Sequence, residues 1–384
     1  MKVLHLVPDF SVISETFIYD LVFDLESMGI DNYIYTTCRV NEKERPFPKV
    51  YDAKTGYSDF YSKVVRNINR RVFKKFNRFK KEKLIDLVNE LDVDVVHSHF
   101  NYFFEDIINL VNSGYKKKVI ISAHGTDVLD KKLHSNASYK EKVNICSGFE
   151  SVIFTVPSQF LKNELINNFE IDKEKIIVVP NCYTQNIIHN SCSDIDNDNP
   201  VYLINIGRLV TWKGQAYLIH LLRKLHDNGF TNVYLKIIGY GPLKDELQNL
   251  ARSLNIESFI HFYDALPHKE VFEELESSHI YIQSSIKDPD TEQEESFGIA
   301  VLEALSVHLP VIVSNTGGLP ETVLNISEPP YIQIVDIKSE LYEATLNCLN
   351  LKRDNEKMKG YANKILTTFS KDKHRKTIRN LYIN

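Results

Sequence analysis

Two carboxylates and two cations are the first residues whose types and spacing suggest chemistry. Glu295 and Glu303 stand eight residues apart in EESFGIAVLEALSVHLPVIVSNTGGLPE, residues 294–321. FGIAVLEALSVHL (297–309) is nearly all apolar, with Glu303 its one acid. A helix there is buried, and a buried carboxylate needs a cation or ligand hydroxyls beside it. If helical throughout, the stretch sets the two carboxylates roughly 12 Å apart along the axis, enough to reach both ends of an extended ligand. The plainer alternative is a structural salt bridge at Glu303. Arg208 and Lys213 lie in IGRLVTWKG (206–214), just after a strand and before a helix. A phosphate in such a loop meets two positive charges and free backbone N–H groups. Solvated surface cations are the competing reading. Gly239-x-Gly241-Pro242 also ends a strand before a helix. Its glycines let a ligand or another backbone come close, and Gly241 is taken to belong to the same ligand site. Thr316-Gly317-Gly318 is a further loop whose N–H groups can face a ligand.

Metal chemistry has less support. Three D-x-D spacings occur, at Asp92/Asp94, Asp194/Asp196 and Asp288/Asp290. The first precedes its strand and the second lies in a polar linker; only the third follows a strand into the expected cleft, and a Pro-bearing acidic loop is also an ordinary solvated turn. His97-Ser98-His99 ends a strand, yet with no third histidine or carboxylate in sight it makes a poor zinc site. No metal and no other cofactor is expected.

These residues need elements to hold them. Short apolar, β-branched runs alternate with helical patterns along the whole chain: Val3–Val7, Tyr33–Thr36, Val93–Val96, Val119–Ile121, Val152–Thr155 and Ile176–Val179. Near-continuous apolar strands alternating with helices point to parallel sheets covered on both faces. After the polar SCSDIDNDNP (191–200) the alternation restarts with Val201–Ile206, Val233–Ile238, Ile260–Phe262, Ile280–Ile282 and Val311–Val313. The expected fold is α/β, with two Rossmann-like domains facing across a cleft. The expected domains span 1–190 and 200–365, and a C-terminal helix, 366–384, packs back on the first. In such sheets ligands sit beyond the carboxyl ends of the strands.

A length of 384 residues, 43% hydrophobic and 25% charged, fits two globular domains with full cores. No apolar run approaches 18 residues, so no membrane-spanning helix is expected. The opening MKVLHLVPDF has the pattern of a buried strand rather than a signal peptide. Five scattered cysteines without a C-x-x-C pair suit a reducing cytoplasm. The net charge of −5 argues against a nucleic-acid partner. It hides residues 61–83, which carry ten Lys or Arg against one acid. There Val65, Ile68, Val72, Phe76 and Phe79 fall on one helical face. Such a helix lies on an anionic membrane surface, or packs on a sheet with its basic face in water.

Taken together and in order, these segments resemble the family 4 glycosyltransferases of the GT-B fold. The resemblance rests on Glu295-x7-Glu303, GRL…KG, GxGPL and GGLPE. In the first half it rests on SETFI (14–18), DVVHSHF (94–100), HGTDV (124–128), PSQFLKNEL (157–165) and VVPNC (178–182). SETFI and DPDTEQEESFG are similar to the branch that builds bacterial exopolysaccharide and surface polysaccharide. The resemblance implies a retaining, nucleotide-sugar-dependent enzyme with a saccharide or lipid-linked saccharide acceptor, peripheral on the inner face of the membrane. It implies Arg208 and Lys213 on the donor diphosphate, Glu303 on the ribose and Glu295 near the transferred sugar. Backbone N–H groups of Gly298 and Ile299 would meet sugar or phosphate, His124 would sit by the reacting carbon, and Glu15 and Thr16 would line the acceptor side. Three features depart from the pattern: Ser296 and His308 where glycines are usual, and a PDFSVISE loop without paired glycines. The alternatives are a sugar-nucleotide epimerase of related fold and a non-catalytic partner of a transferase.

Overall fold

The computed structural model describes residues 1–12, 16–52, 81–183, 199–350 and 354–384, with the side chains of Thr16, Asp52, Lys81 and Glu82 not described. Glu15, most of the basic stretch 61–83 and most of the linker 191–200 lie outside the described residues.

The chain divides into two compact units, Met1–Pro180 with His374–Asn384, and Asn181–Lys373. In the first, seven strands form one parallel sheet: β1 Lys2–Phe10, β2 Asp31–Arg39, β3 Val50–Asp52, β4 Val95–His99, β5 Lys118–Ser122, β6 Val152–Val156 and β7 Ile176–Val178. Their order is β3-β2-β1-β4-β5-β6-β7. The second unit has six: β8 Val201–Ile206, β9 Val233–Ile238, β10 Ile260–Tyr263, β11 Ile280–Gln283, β12 Val311–Ser314 and β13 Ile332–Val335. Their order, β10-β9-β8-β11-β12-β13, is again the doubly wound one. The chain reverses direction across the sheet between β1 and β4, and between β8 and β11. Those switch points are where the loops beyond the carboxyl ends part and leave room for a ligand.

Apolar sequence accounts for the strands. Every residue of β4, β11 and β12 is buried, as expected for a parallel strand with helices on both faces. In the second unit one face is packed by Val301, Leu302, Leu305, Met358, Ala362 and Ile365, the other by Leu218, Leu222, Leu225 and Leu247. β3 and β13 were not expected from the sequence.

Two boundaries differ from the sequence reading. The helix Asn355–Thr368 belongs to the second unit, and the closing helix is Lys371–Ile383 rather than 366–384. The break falls where Phe369 turns inward against Phe297, ring centroids 5.2 Å apart, and Ser370 bridges to Tyr183. The closing helix then buries Ile378 and Tyr382 with Val3, Leu21, Leu25 and Val179 of the first unit. The helix expected over 297–309 is only Ile299–Ser306. It starts at Gly298, whose φ of 106° only glycine adopts readily, and ends before His308 at φ 59°. His308 thus occupies a left-handed position that favours glycine, which explains the glycine usual there in the family pattern.

Candidate functional site

In the second unit the candidate donor residues gather on loops flanking the β8/β11 switch point. The loop after β8 carries Arg208 and a single 3-10 turn, Thr211–Lys213, before the helix Gln215–Asp227. It is stitched to the loop after β11: Ile286 N donates to Trp212 O at 2.8 Å, and Ser284 Oγ to Lys213 O at 3.0 Å. Gly214 makes the approach possible, since a Cβ there would stand 2.0 Å from Ser284 O. Across this seam the largely buried Lys213 ammonium forms a salt bridge with Glu295 Oε2. The same oxygen lies 3.3 Å from Ser285 Oγ and 3.5 Å from Gln283 Nε2. Arg208 is exposed, its guanidinium 5.3 Å from the Trp212 ring centroid. Among the described residues no carboxylate pairs with it, so its charge is available to an anion.

Residues 295–298 are not helical, so the axial spacing expected between Glu295 and Glu303 does not apply. Glu295 sits in the loop, while Glu303 projects from the helix and accepts from His268 Nε2 at 2.9 Å. The N–H groups of Gly298 and Ile299 open that helix, where the dipole favours negative charge.

Glu294 was not singled out from the sequence, because one acid among many in an acidic loop has no distinguishing pattern. Its Oε2 accepts from Thr316 Oγ1 at 2.9 Å and from Gly317 N at 3.0 Å. Gly318 N donates to Glu295 O at 2.8 Å. The N–H groups expected to face a ligand from this loop are therefore spent on the acidic loop. Gly241, expected in the donor site, packs closely against backbone. A Cβ on Gly241 would stand 2.3 Å from Leu209 O, and one on Gly239 would stand 2.0 Å from Gly207 O. Both glycines admit the neighbouring backbone and seat the Arg208 loop.

In the first unit, His124 follows β5, partly exposed. Its ring packs 4.7 Å from Phe17 and 4.7 Å from Phe100, and stacks on His99 at 5.9 Å. Burial in that setting, with a smaller contribution from His374, pushes the imidazole down to about 3, so it is neutral at physiological pH. Asp127 sets the turn beneath it. This buried carboxylate accepts from the N–H groups of His124 at 3.0 Å, Gly125 at 3.0 Å and Asn101 at 2.9 Å. It thereby ties the loop after β4, where Phe100 has φ 72°, to the loop after β5. Burial still pushes its carboxyl above the usual range, the backbone donors offsetting part of that. Thr16 begins the helix Thr16–Ser27.

The sequence showed no third histidine beside His97 and His99, and here too the structure differs. Strand pairing sets His5 directly opposite His97, and His5, His97 and His99 are the one metal-like cluster among the described residues. Their nitrogens are largely engaged with one another and with the protein. His5 contacts Asn32 Oδ1 at 3.0 Å and His99 Nε2 at 3.1 Å, while His97 contacts Tyr382 OH and Ser122 Oγ, each at 2.6 Å. His97 and His99 stack, 4.3 Å between centroids, and one nitrogen of each of the three rings lies within 4.8 Å of the others. Asp288 is likewise committed, its Oδ1 accepting from Asp290 N and Thr291 N at 2.9 Å. Burial pushes that carboxyl up, but these N–H groups more than compensate and hold it below the usual range.

Comparison with known proteins fits this arrangement. The family described as Glycosyltransferase Family 4 matches residues 14–184, and Glycosyl transferases group 1 matches 193–364. The chain is a family 4 glycosyltransferase of the GT-B fold. A glycosyltransferase of Methanocaldococcus jannaschii is 28% identical over 321 residues, 73% of this chain and 74% of that relative. The amylovoran biosynthesis glycosyltransferase of Erwinia amylovora is 29% identical over 124 residues, 32% of this chain and 30% of that relative. A solved structure of Anabaena HepE with UDP and glucose superposes with a TM-score of 0.72 at 16% identity, covering 99% of both chains. Among the described residues of this glycosyltransferase, no helix is long and apolar enough to cross a membrane.

Proposed function

We propose that this glycosyltransferase moves a sugar from a nucleotide-sugar donor to a saccharide acceptor carried on a lipid, in the synthesis of surface or exopolysaccharide, with retention of anomeric configuration. The observation that carries the reading is the Lys213–Glu295 pair bridging the two loops at the β8/β11 switch point, with Arg208 on one of them, paired with no carboxylate among the described residues. A diphosphate has two negative charges for Arg208 and Lys213, and charge-assisted contacts of this kind offset the charge of a leaving phosphate. Glu303 then serves the ribose, Glu295 and the Gly298 and Ile299 N–H groups the sugar and phosphate, and His124, with Glu15 and Thr16, the acceptor side. The name of the amylovoran relative and the UDP bound to HepE support the donor and the pathway class. A panel of nucleotide sugars, assayed for released nucleoside diphosphate with and without acceptor lipid, tests the proposal. Release with no donor would end it.

The basic stretch 61–83 extends the proposal to peripheral attachment at an anionic membrane surface facing the cytoplasm. Each basic residue near such a surface adds about 1 kcal/mol. Exchanging Lys74, Lys75, Lys80 and Lys81 for Glu should abolish sedimentation with anionic liposomes, and undiminished binding would exclude this role.

A further inference from the structure

Glu303 has two carboxylate oxygens with different surroundings. Oε1 accepts from His268 Nε2 at 2.9 Å. No hydrogen bond reaches Oε2 among the described residues. A carboxylate only accepts here, so Nε2 of His268 carries the proton whatever the charge of the ring. The ring itself is held edge-on against Phe272, one turn along the same helix, at 5.1 Å between centroids and 86° between planes. His268 opens the helix His268–Glu276 just beyond the carboxyl end of β10, on the ligand side of the sheet. Its side chain is 45% exposed and that of Glu303 only 16%.

We infer that His268 is a positioning residue for the donor nucleoside: it fixes the Glu303 carboxylate through Oε1 and so presents Oε2 to a ribose hydroxyl. The inference rests on the reading of Glu303 as the ribose-binding residue. A glutamate has three rotatable bonds before its carboxylate, and without a second contact its acceptor direction is not set. Pinning one oxygen in the empty site removes that ordering cost from ligand binding. The arrangement predicts that His268 acts on the ribose alone, not on the base or the diphosphate.

The test is a thermodynamic cycle between protein and ligand, read by calorimetry. UDP and GDP are each compared with their 2′-deoxy and 3′-deoxy forms, and the tighter-binding base is carried forward. In the native protein, loss of the contacting hydroxyl should weaken binding about tenfold or more, as for a hydrogen bond to a charged group. In His268→Ala that ratio should fall toward one, and His268→Gln, whose amide nitrogen can take the place of Nε2, should restore most of it. A purely structural role would weaken ribose and deoxyribose ligands alike and leave the ratio intact, which would overturn the inference. Glu303→Ala separates the two ideas. If it erases the ratio while His268→Ala keeps it, the ribose role of Glu303 stands and His268 has no part in it. If Glu303→Ala keeps the ratio, or if neither nucleotide binds, both fall.

Discussion

His97 and Tyr382 are 285 residues apart in sequence, and His97 Nδ1 lies 2.6 Å from the Tyr382 hydroxyl. Strand β4 is thereby tied to the last turn of the closing helix, inside the first unit. Two further bonds hold the same helix there: His374 Nδ1 to Pro180 O and Lys118 Nζ to Leu381 O, each 2.8 Å. The helix is integral to that unit. Removing the hydroxyl leaves a buried imidazole nitrogen without its partner, which costs about 1–3 kcal/mol. Tyr382→Phe should therefore lower the urea midpoint for unfolding of the first unit with little change in slope. An unchanged midpoint would mean that the bond contributes nothing net.

The buried imidazoles make that unit acid-sensitive. Burial lowers His5 to about 4, and lowers His97 and His99 well below the ordinary histidine value of 6.5. Each is therefore neutral when folded and takes up a proton more readily when unfolded. The unfolded chain binds more protons as pH falls below 6.5, so stability is intact above that value and is lost between there and about pH 4. Each histidine contributes about 1.4 kcal/mol per pH unit in that window. The urea midpoint should fall steeply from pH 6.5 to 4.5 and stay level from pH 7 to 8. A level profile throughout would contradict the neutral cluster.

This cluster also shows how much the sequence could disclose. Alternating apolar runs made both sheets and the restart at Val201 legible, because a parallel strand buried on both faces leaves a continuous hydrophobic signature. β3 (VYD) and β13 (IQIV) are too short to stand out. His5 lies inside an ordinary apolar strand, and only the β1–β4 register, a long-range pairing, brings it to His97. For Gly241, smallness was legible, but whether backbone or ligand fills the space was not. Glu294 and His268 act across loops from different strands, and no local spacing records such contacts. Arg208 and Lys213 stood out because they lie between a strand and a helix, and Glu303 because it is the one acid in an apolar helical run.

Asp127 should matter more for transfer than for donor binding. Its carboxylate accepts from three backbone N–H groups of two loops, including that of His124. In Asp127→Asn an amide N–H₂ must face one of those donors, at a cost of about 1–3 kcal/mol. The turn that carries His124 then loosens, while the second unit is untouched. The expected outcome is a large fall in kcat with the affinity for nucleoside diphosphate unchanged by calorimetry. Equal losses in both would place Asp127 in general folding instead.

Transfer is expected to proceed without a divalent cation. Asp288 spends its carboxylate on its own turn, His5 and His97 have both ring nitrogens engaged, and Arg208 with Lys213 offers two positive charges beside the switch point. Activity should survive prolonged treatment with a strong chelator. Loss that magnesium or manganese reverses would require a metal site made with residues other than these.

The stereochemical prediction follows from how the carboxylates are employed. Double displacement needs a carboxylate free to attack the anomeric carbon, with an acid/base partner about 5–5.5 Å away. Glu295 Oε2 is held by the Lys213 ammonium, with Ser285 Oγ 3.3 Å away. An ion-paired carboxylate with this solvation is a poor nucleophile. Asp127 is buried beneath its loops and saturated by backbone N–H groups, and Glu303 is bound to His268. His124 is neutral, suited to donate or accept a hydrogen bond but a weak base. What remains is positioning and charge stabilisation. The leaving phosphate then takes the acceptor's proton as the acceptor attacks from the same face. An α-linked donor should give an α-linked product with no glycosyl-enzyme on the way. Proton NMR of the first-formed product checks the configuration, and a β-anomer would exclude retention. Mass spectrometry of the working enzyme checks the route, since a glycosyl adduct on Glu295 or Asp127 would replace same-face attack with double displacement while leaving retention in place.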